Sequence, residues 1–269
     1  MLKQRKALSV PYYLWIALFV IAPVFLLLYQ SFQNIDGSFS LANIQTYFTS
    51  TVYLTMTLQS FLYAFVITVV ALLISYPAAY FLTRAKNKQL WLLVLILPTW
   101  INILLKTYAF IGILSQTGAV NQFFEFIGLG TQPLLFTRLG FIIVATYIEI
   151  PFMLLPIFNA IDEIDDSMVF ASRDLGANEW DTFRSVIFPM SMSGVRSGVQ
   201  AVFIPSLSLF MLTRLIAGNR VVTLGTAIEQ HFLVTQNWGM GSTMGIVLII
   251  IMFVVMFLTG KRRKGGQRG

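Results

Sequence analysis

The chain has 269 residues, of which 57% are hydrophobic and 11% charged, and its mean hydropathy is +0.78. Apolar runs of this extent exclude most soluble folds and indicate membrane spans. The net charge of +7 does not indicate a nucleic-acid partner, because the basic residues cluster at the ends of the apolar runs, where they report topology.

Six apolar runs predict an all-α membrane protein with about six transmembrane helices in a single domain. In chain order they cover about residues 10–29, 58–82, 90–114, 140–160, 195–217 and 243–258. Each run is near the ~20 residues that cross a ~30 Å hydrocarbon core. The first has a basic start like a signal peptide, but it is long and shows no small-residue cleavage site, so we expect it to remain as a span.

The basic residues predict the orientation of these spans. With the N-terminus inside, the inner segments hold nearly all the lysines and arginines outside the spans, and the outer segments hold only Arg138 and Arg220. This bias places both termini and the segment 161–189 in the cytoplasm. The outer stretches 115–139 and 218–241 contain amphipathic runs, which would either pack as ordinary loops or receive an external partner.

The segment 161–189 is a polar, strongly acidic interruption between two apolar runs, and its pattern predicts a hairpin of two short helices. The residues that start or stop these helices are Asp165 or Asp166 and Asn178 as N-caps, Gly176 after the first helix, and Pro189 at the end of the unit. A solvated hairpin between spans is the plain interpretation. The order of its residues supports a more specific one.

The hairpin contains Ala171-Ser172, then three residues, Gly176, nine residues and residues 186–189 (VIFP). This arrangement resembles the EAA motif of ABC-importer permeases. The spacing matches throughout, but Phe170 stands where the family has glutamate. The resemblance implies a coupling helix that enters a groove of a separate ATPase subunit. The residues it implies for this contact are Phe170, Ala171, Ser172, Arg173, Asp174, Gly176 and Pro189.

Two charged residues lie well inside spans, Lys106 in the third and Glu149 in the fourth, at similar predicted depth. One interpretation is a structural ion pair between them. The other is that Glu149 faces a translocation path and attracts a cation. Aromatic side chains that could flank such a cation are Trp100, Tyr108 and Tyr147.

Several kinds of chemistry are missing from the sequence. No G-x-x-x-x-G-K-[ST] stretch occurs, so the chain does not bind ATP through a P-loop. His231 is the one histidine and there is no cysteine, so we expect no metal site, no disulfide and no nucleophile–histidine catalysis. We therefore expect a chain that is not an enzyme.

A wider resemblance covers nearly the whole chain. Residues 99–109, 150–153, 203–215 and 227–238 are similar to the permease subunits of spermidine/putrescine importers, the first of the two permeases especially. Membership would imply a type I ABC-importer permease in the bacterial cytoplasmic membrane. It would also imply a second, homologous permease, an ATPase dimer that binds ATP and Mg²⁺, and an external substrate-binding protein.

Two alternatives remain open at the level of the sequence. In the first alternative, the chain is a permease for another small substrate, such as an opine-like compound, thiamine or iron. In the second alternative, the chain is a membrane scaffold or channel-like protein whose hairpin binds some other cytoplasmic partner.

Overall fold

Long apolar runs form long helices, because a chain in lipid must satisfy each backbone N–H and C=O within itself. The computed structural model describes residues 10–218 and 220–260. Five helical stretches there are long and apolar enough to cross a membrane, namely Val10–Ser31, Thr51–Thr83, Ile103–Phe126, Arg138–Asp162 and Trp238–Thr259. The described residues form no β-strand beyond one isolated bridge between Gln33 and Phe39. The predicted all-helical fold is confirmed, whereas the basic termini predicted to be cytoplasmic lie outside the described residues.

The helices are numbered here in chain order. They are α1 Val10–Ser31, α2 Ala42–Thr49, α3 Thr51–Thr83, α4 Lys88–Trp100, α5 Ile103–Leu114, α6 Ala119–Phe126, α7 Arg138–Asp162, α8 Asp166–Asp174, α9 Glu179–Thr182, α10 Phe188–Ser206, α11 Phe210–Leu215, α12 Leu224–Glu229 and α13 Trp238–Thr259. Three π-helical segments interrupt or join them: Ala17–Ile21 within α1, Phe183–Ile187 between α9 and α10, and Gln230–Val234 after α12.

The predicted span 90–114 is not a single helix. It divides into α4 and α5 at residues 101–102, where the backbone of Ile101 is extended. Pro98 lacks the N–H that would continue the helix, and the side chain of Asn102 accepts a hydrogen bond from the N–H of Leu104 and so starts α5. Pro98 and Asn102 together divide the helix although the run of apolar residues continues.

The predicted span 195–217 begins earlier and is also divided. Its helix, α10, starts at Phe188 and ends at Ser206, one residue after Pro205, and α11 resumes at Phe210. Proline removes one backbone hydrogen bond from the last turns of α10. Irregular backbone at membrane depth is tolerated where it is buried in protein or lines a cavity.

The core is built by α3, α7 and α10, whose buried faces meet along most of their lengths. Gly194 and Gly198 bring α10 close to α7: a Cβ at Gly194 would lie 2.4 Å from the carbonyl oxygen of Pro156, and one at Gly198 2.7 Å from the sulfur of Met153. Small residues four apart let helix backbones approach in a membrane. The α7–α10 contact therefore fixes the register of these two helices.

The remaining long helices surround this core. Helix α13 packs against α10 and α12, and α1 lies against α13 while leaving most of its apolar side chains exposed. Ser60 of α3 accepts a hydrogen bond of 2.7 Å from the N–H of Leu224 and so anchors the start of α12. An apolar surface of this kind suits contact with lipid or with another membrane subunit.

Candidate functional sites

The hairpin that follows α7 forms as two helices with the predicted caps. Asp165 begins α8 and accepts a hydrogen bond of 2.8 Å from the N–H of Ser167, which lowers the pKa of its carboxyl group. Asn178 begins α9 in the same way, with the N–H of Asp181 as donor. Gly176 follows α8 with φ +85°, a conformation that favours glycine. These sequence predictions are confirmed.

Pro189 does not close the hairpin, contrary to the prediction. The chain stays helical from Glu179 through the π-segment Phe183–Ile187 and on to Ser206. A π-segment leaves room in the helix for the proline ring and the missing N–H that would otherwise break it. The second limb of the hairpin and α10 are consequently one continuous helical rod.

One side of α8 is apolar and faces outward. Ala171 and Ser172 line an open hollow of about 700 Å³ together with Met168 and Leu175, whose side chain is 89% exposed. We call Met168, Ala171, Ser172 and Leu175 the apolar face. Ala171 and Ser172 were identified from the sequence, whereas Met168 and Leu175 were missed, although large apolar residues in an acidic segment were a usable signal.

Phe170 lies on the opposite side of α8. With Arg173 it lines a cavity of about 760 Å³ between the hairpin and the C-terminal end of α3, where Arg84 and Lys88 contribute positive charge and four carboxylates, from Asp162, Glu163, Asp165 and Asp166, contribute negative charge. The ring of Phe170 is 58% exposed. The motif residues thus divide between two surfaces, and Asp174 lies on neither lining.

Contacts from the end of α3 and the start of α4 hold the base and the second limb of the hairpin in place. Lys88 pairs with Asp162 at the end of α7, at 2.5 Å, and Arg84 approaches Glu179 of α9 to 3.9 Å. The ring of Phe183 packs edge-on against Tyr80 of α3, with centroids 5.3 Å apart. Exposed ion pairs are worth ~0–1 kcal/mol, so aromatic packing is the stronger of these contacts.

Glu149 is buried within the core, at 4% exposure on α7. Four ion pairs within 4 Å occur among the described residues, and none joins Lys106 to Glu149. The two charges are therefore not in direct contact, but they still interact electrostatically, and the pairing of Lys106 with Glu149 stays a prediction. No hydrogen bond to the Glu149 carboxyl group forms among the described residues either.

Two further buried polar groups lie on α7 and α10, the helices that pack together here. The hydroxyls of Thr146 and Ser206 are buried and have no hydrogen-bond partner within residues 10–218 and 220–260. Thr146 and Glu149 are one helical turn apart on the face of α7 that carries Met153. Since Gly198 faces Met153, Ser206 lies two turns further along α10, at the level of Thr146. Sequence reasoning missed both hydroxyls because their proximity depends on the register of two helices.

Of the other predicted path residues, Lys106 lies close enough to Glu149 for an electrostatic interaction, although not within 4 Å. Lys106 and Tyr147 line an apolar groove of about 330 Å³ between α3, α4, α5 and α7, to which Pro98 also contributes. Trp100 is 76% exposed, and Tyr108 is also exposed; neither lines this groove. The aromatic side chains are therefore presented to the surroundings of the chain and form no cage around one point.

His231 lies beyond α12 and contacts Tyr53, whose hydroxyl is 3.3 Å from Nε2. Burial lowers the pKa of the imidazole, because it disfavours the charged form. Across the part of the chain that the structure describes, no three metal-binding side chains come together.

Comparison with known proteins gives a consistent result. Residues 71–261 match the family model "Binding-protein-dependent transport system inner membrane component". The chain is 32% identical to the spermidine/putrescine transport system permease protein PotB of Haemophilus influenzae over 260 residues, which are 93% of this chain and 91% of that protein. It is equally similar to the Escherichia coli PotB protein, over 91% of this chain and 92% of that protein, and 26% identical to the E. coli inner membrane ABC transporter permease protein YdcU.

The fold has a close match among solved structures. A chain of a bacterial alginate ABC transporter, solved with an alginate-bound periplasmic protein, superposes with a TM-score of 0.81. The match covers 95% of this chain and 92% of that chain at 16% identity, so it concerns the fold alone.

Proposed function

The chain belongs to the family of binding-protein-dependent transport system inner membrane components, as a permease subunit of an ABC importer, and from this premise we propose that it carries polyamines such as spermidine and putrescine. In this proposal it forms half of the path with a second, homologous permease. An external substrate-binding protein delivers the substrate, and an ATPase dimer that binds ATP and Mg²⁺ drives transport. The chain itself is non-catalytic and binds no cofactor.

The proposed topology has six spans and both termini in the cytoplasm. Helices α4 and α5 together make the third span, and α10 makes the fifth. The bias of lysine and arginine toward one side supports this orientation. It places the hairpin on the side of the membrane where ATP is available.

The apolar face of α8 is the proposed contact with the ATPase. Large apolar side chains such as Leu175 are exposed there although the segment lies outside the membrane spans. Exposed apolar surface that is not lipid-facing commonly marks a protein interface. The small side chains of Ala171 and Ser172 let a partner approach the helix backbone.

The observation that carries the substrate proposal, beside the similarity to two PotB proteins, is the buried carboxylate of Glu149 without a bonded partner. An ammonium group carries one positive charge and three N–H donors. Glu149, Thr146 and Ser206 offer it a negative charge and two free hydroxyls. We therefore assign this layer between α7 and α10 to the path.

The substrate assignment is tested with the complete importer in cells that lack other polyamine uptake. Labelled putrescine should accumulate, and unlabelled spermidine should compete while thiamine, an opine and ferric iron do not. Uptake of one of these competitors in place of polyamine would overturn the assignment.

The role of Glu149 is tested by two variants. Glu149→Gln should abolish most uptake while the ATPase is still stimulated by the loaded binding protein. Adding Lys106→Met should leave uptake low, because the substrate still lacks its carboxylate. Recovery of uptake in the double variant would instead show that Glu149 only balances the charge of Lys106.

A further inference from the structure

A second carboxylate lies further out along the same side of the bundle. Glu229 ends α12 and lines a cavity of about 350 Å³ that also includes Thr226, Gln230 and Arg214. Arg214 lies on α11, just beyond the break that follows Ser206. In the proposed topology this cavity lies outward from the Glu149 layer, near the external surface.

The carboxylate and its partner differ in exposure. Nη1 of Arg214 donates to Oε1 of Glu229 at 2.9 Å, but the Glu229 side chain is 17% exposed and that of Arg214 is 57% exposed. The carboxylate is thus held inside the cavity wall, while the guanidinium reaches it from the solvent side. Since an arginine side chain has many rotamers, the guanidinium of Arg214 can leave the Glu229 carboxylate without any movement of α12.

The ion pair is not needed to hold α11 and α12 together. The hydroxyls of Thr213 and Thr226 already join these helices at 2.7 Å, one turn away. Ser60 anchors the start of α12 to α3. Because the side chain of Arg214 is 57% exposed, solvent screens the pair and reduces its contribution to stability. A contribution to stability therefore does not explain why the pair of Arg214 and Glu229 lies in a cavity.

Other carboxylates on the outer segments are less suited to bind a cation. Asp36 is exposed, and its carboxylate already accepts hydrogen bonds from the N–H and the hydroxyl of Ser38. Glu125 is exposed on α6. Glu229 combines a cavity, neighbouring polar side chains and a partner that can be displaced.

We propose that Glu229 binds an ammonium group of the incoming substrate at the outer mouth of the path, and that Arg214 occupies this carboxylate until the substrate arrives. The inference rests on the proposed transport of polyamines. It adds an external cation site at which an internal arginine and the substrate compete for one carboxylate.

The roles of Glu229 and Arg214 can be distinguished because substitution of each residue should affect transport differently. The complete importer is reconstituted in proteoliposomes with saturating putrescine-loaded binding protein, and labelled putrescine taken up per ATP hydrolysed is measured. Glu229→Gln should lower this ratio by about fivefold or more. Arg214→Gln should equal or exceed the parent, because it removes the competitor. The double variant should behave like Glu229→Gln alone.

The control is Glu125→Gln, which changes the outer charge equally and should leave the ratio unchanged. Equal losses in both single variants with recovery in the double variant would show a purely structural ion pair and overturn the inference. A parent-like ratio in Glu229→Gln would overturn it while leaving polyamine transport intact. A parent importer that takes up no putrescine would overturn both the inference and the proposed substrate.

Discussion

Gly176 turns the chain between α8 and α9 with φ +85°, and no atom lies within 4 Å of the place where a Cβ would stand. Any effect of a substitution on this chain alone must therefore come from backbone strain. A non-glycine residue in this conformation costs ~1 kcal/mol or more, and a β-branched one costs more still. Asparagine tolerates it better.

We predict that Gly176→Val lowers co-purification of the ATPase and abolishes transport, while membrane abundance stays near that of the parent. Gly176→Asn is the matched control, because it adds a side chain but accepts the turn, and it should retain most recruitment. Normal transport in Gly176→Val would refute the assignment of this turn to the ATPase contact. Equal loss in both variants would instead point to a steric block by any side chain.

Phe170 and Leu175 allow the same substitution to be compared on opposite sides of α8. Phe170→Glu would place a carboxylate in the cavity on the other side of α8, away from the apolar face, where both basic and acidic side chains already line the wall. Leu175→Glu would place one on the apolar face, where binding a partner would bury it. We predict near-normal ATPase recruitment in Phe170→Glu and strong loss in Leu175→Glu, measured by co-purification. The reverse order would move the docking surface to the side of Phe170.

Residues whose role is local could be predicted from the sequence. Asp165, Gly176 and Asn178 act within three or four positions of themselves, so caps and turn chemistry suffice to identify them. Thr146 and Ser206 lie 60 positions apart in the chain, and nothing local in the sequence brings them to one level. Their grouping with Glu149 required the α7–α10 register.

At the level of elements, the contact between α7 and α10 is set by two glycines that differ in what they face. At Gly194 a Cβ would meet the backbone oxygen of Pro156, which cannot move without distorting α7. At Gly198 it would first meet the sulfur of Met153, at the flexible end of a side chain. The two positions should therefore differ in tolerance.

We predict that Gly194→Ala lowers stability by ~1–3 kcal/mol, and Gly198→Ala by clearly less. Gly245→Ala in α13 is the control, because no atom lies within 4 Å of its Cβ position and alanine favours helix. Thermal unfolding of the purified complex in detergent measures the order. A Gly198→Ala variant less stable than Gly194→Ala would contradict it.

The breaks in the third and fifth spans show where sequence reasoning about elements is weakest. A hydropathy pattern averages over about 20 residues and cannot register a two-residue interruption such as residues 101–102. The signals were present in Pro98, Asn102 and Pro205. Prolines also occur inside α3 and α7 without ending them, so the residue type alone does not decide the outcome.

At the level of the whole molecule, the orientation can be tested directly because the chain has no cysteine. Lys86 lies in the loop between α3 and α4, Gln116 lies between α5 and α6, and both are exposed. We predict that a membrane-impermeant maleimide labels Gln116→Cys in intact cells but labels Lys86→Cys only after permeabilisation. The opposite pattern would invert the proposed topology and place the hairpin away from the ATPase.

The uninterrupted helical path from Glu179 to Ser206 makes a lever of about 28 residues, roughly 42 Å long at ~1.5 Å per residue. In the proposed topology one arm ends in the cytoplasmic hairpin and the other at Ser206, and the close contact at Gly194 and Gly198 lies between them as a pivot. The two ends of a stiff arm cannot be displaced independently. A force that tilts the hairpin limb therefore moves the Ser206 hydroxyl in the opposite direction. Binding of substrate at the layer of Glu149 and the tilt of the hairpin limb should then change together.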